Sequence, residues 1–109
     1  MFGERTPLLA PVAAETYSVL TRLPGAQRLS AATAHAYLTE TFSQPPVTLS
    51  ASGFARLLDR VRDAGITGGS VYDAVVAATA AEAGATLLSL DRRAARTYEA
   101  IGAEYELVE

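Results

Sequence analysis

The chain contains no cysteine, and that absence removes disulfides, thiolate metal ligands and a cysteine nucleophile together. A reducing compartment suits such a chain, and the cytoplasm is the expected location. Lysine is absent as well: the 9 basic residues are all arginine. Against 12 acidic residues they leave a formal net charge of -3, so the overall field does not draw in nucleic acid. Contact with RNA would have to come from a local arginine cluster and from bound cations.

A long apolar run is also missing. The most apolar stretch, Val71 to Leu90, is broken by Asp73, Glu82 and Gly84, whereas a membrane helix needs roughly 20 mostly apolar residues. No association with a membrane is expected. The opening Met1-Phe2-Gly3-Glu4-Arg5 has no apolar segment behind a positive start, so no secretory signal is expected there. No repeat, linker or low-complexity tract divides the chain. What is present is half apolar and 19% charged, a composition suited to one packed domain over residues 1–109.

Punctuation residues mark out the elements. Leu8-Leu9-Ala10 reads as a short buried strand, and Pro11 opens a helix from about Val12 to Leu23 that ends before Pro24-Gly25. Ser30 caps a helix from Ala31 to about Phe42, which Pro45-Pro46 stops. Val47-Thr48-Leu49 reads as a second strand. Ser50 caps a helix over 51–64 with Gly65 as its stop, and Phe54, Leu57, Leu58 and Val61 form its apolar face. Gly68-Gly69-Ser70 leads into a helix over 71–83 closed by Gly84. Thr86 to Leu90 is the clearest strand, Asp91 caps a helix over 92–101 that ends at Gly102, and a last strand covers 105–108. Strands alternating with helices predict an α/β fold, with a mostly parallel sheet between helices.

Three acidic residues stand out. Asp91 directly follows the strand over 86–90, at the carboxyl end where open α/β sheets bind ligands; an aspartate there serves equally well as a helix N-cap. Asp73 lies in the first turn of a helix that is apolar nearly all round, so it is expected to be buried, and a buried carboxylate has to be paired, hydrogen-bonded or metal-bound. Glu15 is placed in the first turn of its helix, where the dipole favours an anion. If the three converge, their oxygen-only donor set suits magnesium or manganese. His35, the only histidine, is read as a solvated helix residue. Arg56, Arg60 and Arg62 are expected on a wet helix face, while Arg92, Arg93 and Arg96 follow Asp91 and are placed to hold a phosphate backbone. Serines 18, 70 and 89 lack a partner base, and Gly68-Gly69 is too short for a phosphate loop.

The segments Ala14-Glu15-Thr16-Tyr17-Ser18-Val19-Leu20-Thr21-Arg22-Leu23, Ser70-Val71-Tyr72-Asp73-Ala74 and Leu88-Ser89-Leu90-Asp91-Arg92-Arg93 resemble the PIN-domain ribonucleases, and more narrowly the VapC toxins of bacterial toxin–antitoxin pairs. The resemblance covers nearly the whole chain in the family's order. It implies a PIN-like three-layer α/β fold and a metal-dependent endoribonuclease. Glu15, Asp73 and Asp91 would then be catalytic, metal-holding positions for Mg2+ or Mn2+, with Arg22, Arg92 and Arg93 on the RNA. It also implies a VapB-like antitoxin as partner and a homodimer. One departure stands against it: the family normally opens with a strand ending in an aspartate, and no such segment precedes Leu8 here. An N-terminally truncated domain is therefore expected, and with it the alternative of an inactive PIN domain that only binds a partner.

Overall fold

The structure, a computed structural model, describes residues 7–108; the opening segment Met1–Arg5, read as lacking a secretory pattern, lies outside the described residues. Contacts divide the chain into two compact units, one ending at Val47 and one beginning at Thr48.

In the first unit, α1 (Ala10–Arg22) carries proline at its start, where a missing N–H costs nothing. After a 3-10 turn at Gly25–Gln27, α2 (Ala31–Thr41) begins at Ser30, whose hydroxyl accepts from the Thr33 N–H at 3.1 Å. The two helices pack on each other, and Leu8, Leu9 and Ala34 are buried. The strands expected at 8–10 and 47–49 reduce to one parallel bridge between Leu9 and Val47. It is held by Ala10 N–H to Val47 O and Val47 N–H to Leu8 O, both 2.8 Å. The ladder stops for covalent reasons. Pro11 and Pro46 have no N–H to donate, and the Leu9 carbonyl already accepts from Ala13 as α1 begins.

In the second unit, α3 (Ala51–Ala64) lies between Ser50, which accepts from the Gly53 N–H, and Gly65, left-handed at φ 69°. Its buried line is Gly53, Leu57 and Val61, an i, i+4, i+8 stripe. Phe54 and Leu58, expected on that face, remain 42% and 53% exposed, because the stripe is one residue wide. α4 (Ser70–Glu82) buries Ala74, Ala77, Thr79 and Ala80, small side chains that let it approach its neighbours closely, and it packs on both α3 and α5. β1 (Leu87–Ser89) follows, then a 3-10 turn at Arg92–Ala94, α5 (Ala95–Ile101) and β2 (Tyr105–Leu107). β1 and β2 pair in parallel, Leu87 opposite Tyr105 and Ser89 opposite Leu107, as the alternation of elements predicts. Leu87, Tyr98, Ile101 and Ala103 are buried. No helix among the described residues is long and apolar enough to cross a membrane.

Candidate active site

β1 ends at Ser89, and Asp91 stands two residues beyond it. Its carboxylate accepts from the Arg93 N–H at 2.9 Å, while its own N–H donates to Ser89 Oγ at 3.1 Å. The capping reading of Asp91 is therefore correct, although the turn it caps is 3-10 rather than the start of a continuous α-helix. Arg93 Nε lies 3.8 Å from the same carboxylate, with the two side chains 96% and 52% exposed. A pair that open to water contributes little to stability, and it leaves the Asp91 carboxylate accessible.

Asp73 occupies the first turn of α4, as its spacing predicts, but the expected full burial does not hold. It is half-buried, and its neighbour Tyr72 is 76% exposed. The helix sequence is apolar all round, yet α4 buries only its alanine and threonine line, so the penalty for an enclosed charge does not apply in full. Glu15 also departs from expectation. Because α1 starts at Ala10, Glu15 is its sixth residue, beyond the first turn, and exposed. The helix dipole acts within the first turn and gives Glu15 no particular support. His35 is exposed on α2, as expected.

Asp73 and Asp91 belong to the second unit and Glu15 to the first. Among the described residues no three acidic or histidine side chains come together closely enough to hold a metal ion. Asp73 and Asp91, within the second unit, fit a hard divalent cation in kind, both offering carboxylate oxygens.

The arginines divide by surroundings. Arg22 reaches Ser18 Oγ at 3.5 Å, and Arg62 pairs with Asp63 at 2.9 Å and with Asp59 at 3.7 Å. Arg60 is no mere surface charge. Its guanidinium donates to the carbonyls of Ala100, at 3.4 Å, and Ile101. It thereby satisfies the C-terminal end of α5, where unpaired carbonyls gather.

Glu82, which the sequence does not single out, makes a specific polar contact within the second unit. It accepts from both the N–H and the hydroxyl of Ser50, at 2.8 and 2.6 Å. In a capping box the acid three residues after the serine closes the helix start; here that position is Gly53, and Glu82 performs the role from the end of α4. Gly53 makes the space, since a Cβ there would collide with Glu82 Oε1 and lie 2.9 Å from Ser50 Oγ. The two hydrogen bonds from Ser50, hydroxyl first, hold the Glu82 carboxyl below its ordinary value; desolvation opposes them, and Arg56 adds a smaller downward pull. A serine cap followed three residues later by glycine is the only sequence signal of this arrangement.

A family model for the PIN domain matches residues 8–100, a span that includes Glu15, Asp73 and Asp91. The chain is 46% identical over 101 residues to ribonuclease VapC40 of Mycobacterium tuberculosis, covering 93% of this chain and 75% of that protein. It is 51% identical over 89 residues to ribonuclease VapC27 of the same organism, covering 82% of this chain and 64% of the relative. No solved structure gives a significant match.

Proposed function

This chain belongs to the PIN-domain family, and on that premise we propose that it is a VapC-type endoribonuclease toxin that hydrolyses RNA phosphodiester bonds. The observation that carries the proposal is the 46% identity over 93% of the chain to a protein named as a ribonuclease. Two features of the second unit support it: a carboxylate in the first turn of α4, and another just past the carboxyl end of β1, the end of a parallel sheet at which ligands gather.

Within this proposal Glu15, Asp73 and Asp91 act as oxygen donors toward Mg2+ or Mn2+. When bound, such an ion supplies an acidified water and charge stabilisation on the phosphate. The work assigned to the chain's own side chains is narrower. The Asp91 carboxylate, held by the Arg93 N–H, keeps a fixed direction at the strand end. Arg22, Arg92 and Arg93 are assigned to the RNA backbone, with Arg93 96% exposed and able to exchange its weak contact with Asp91 for a phosphate. A VapB-like antitoxin as inhibitor and a homodimer belong to the same reading.

The test is RNA cleavage by Asp73→Asn and Asp91→Asn beside the parent chain, each shown to be folded by circular dichroism. Asparagine keeps size and polarity and removes the charge, so each variant is expected to lose at least about a hundredfold in rate, the scale on which a transition-state contact is removed. Parent-level cleavage by both would contradict the assignment.

A further inference from the structure

A cavity of about 280 Å3 opens in the second unit where the C-terminal end of α3, the start of α4 and one side of α5 meet. Its polar lining is Arg96, Thr67, Ser70 and Thr97, with Ile66 and Ala100 among the apolar remainder and no carboxylate. One fixed positive charge among three hydroxyls, in a concave site free of acids, is the donor set that recognises a tetrahedral oxyanion.

Two further observations point the same way. Thr97 is only 8% exposed, yet among the described residues its hydroxyl has no hydrogen-bond partner. Thr21, Thr39 and Thr79 behave differently, each donating to the carbonyl four residues earlier at 2.6–3.0 Å. Since no fully enclosed side-chain oxygen is left unpaired among the described residues, the Thr97 hydroxyl keeps access to the cavity it lines. Arg96 is exposed and, among the described residues, pairs with no acid, unlike Arg62 and Arg93. The first amide groups of α4 are less available: the Val71 N–H donates to Gly68 O and the Tyr72 N–H to Gly69 O, both at 3.1 Å. Recognition therefore falls to side chains and not to the helix end.

We propose that this cavity binds a phosphate group through the Arg96 guanidinium and the hydroxyls of Thr97, Ser70 and Thr67. Its volume falls just below the roughly 300–1,000 Å3 usual for small-ligand sites, which suits one phosphate with at most an attached sugar. The phosphate comes either from free phosphate or from RNA, and the chemistry of recognition is shared. Binding at the cavity needs neither metal nor cleavage, so the inference stands apart from the nuclease assignment and can fail while that assignment holds.

The test follows amide shifts by NMR as inorganic phosphate is added to the metal-free chain, with chloride at matched ionic strength as control. A parallel titration uses a short RNA without terminal phosphates. Saturable shifts at residues 65–70 and 96–100 are expected with phosphate. They should weaken about tenfold in Arg96→Gln, the scale of one charge-assisted contact. They should also weaken in Thr97→Val, whose thermal stability without phosphate is expected to change little, because the hydroxyl it removes holds no hydrogen bond among the described residues. The same shifts with RNA would assign the phosphate to the RNA backbone, and shifts with inorganic phosphate alone would assign free phosphate. Absence of saturable shifts with both, or shifts equal in Arg96→Gln, would overturn the proposal.

Discussion

Glu82 sits at the last position of α4, where a helix C-terminus disfavours an anion, but it faces the start of α3, whose amide groups favour one. The contacts with Ser50 decide the balance, and they hold the Glu82 carboxyl below its ordinary value of 4.5. A group whose folded-state value is depressed contributes stability that is fully present above the unfolded value and lost as pH falls through the folded one. Glu82→Gln is therefore expected to be less stable than the parent at about pH 7, with the difference shrinking toward about pH 3 as the parent carboxyl protonates. Urea unfolding at the two pH values checks this; an unchanged difference would mean that the charge of Glu82 is not what holds α3. Ser50 was readable as a cap from sequence, because a serine before an apolar-periodic run has one dominant use. Its partner was not, because Glu82 lies 32 residues away and only the fold brings it there.

The elements show the same division between local and distant causes. Helix ends were legible wherever a local residue fixes them: Ser30 and Ser50 at starts, Gly65 and Gly102 at stops with φ 69° and 83°. Strands were less legible, since their length depends on the partner. Leu8–Ala10 and Val47–Leu49 look like strands by apolar content, yet prolines at 11 and 46 leave room for one bridge. Arg60 belongs at this scale too, since it stands on α3 and serves the end of α5. Arg60→Gln removes hydrogen bonds to two carbonyls and is expected to cost about 1 kcal/mol of stability. Because the partners are carbonyls and not acids, the loss should change little between low and high salt. A loss that disappears in high salt would show that Arg60 acts as a surface charge instead.

For the whole molecule, the alternation of strand and helix and the parallel pairing of β1 with β2 were available from sequence, and the PIN-domain model matches residues 8–100. The candidate site was legible only in part. Asp91 and Asp73 stand at the ends of their elements as expected, since each end is set by neighbouring residues. Glu15 does not stand in a first turn, because α1 begins two residues earlier than the proline signal suggested. Whether carboxylates meet is a tertiary property that spacing along a chain does not encode.

The proposed cleavage of RNA is tested most directly by incubating the folded 109-residue protein with total bacterial RNA and magnesium or manganese, with and without EDTA. Discrete cleavage products that vanish with EDTA are the result this account predicts. Intact RNA with either metal, from a chain shown by a cooperative thermal transition to be folded, would contradict it and leave partner binding as the function.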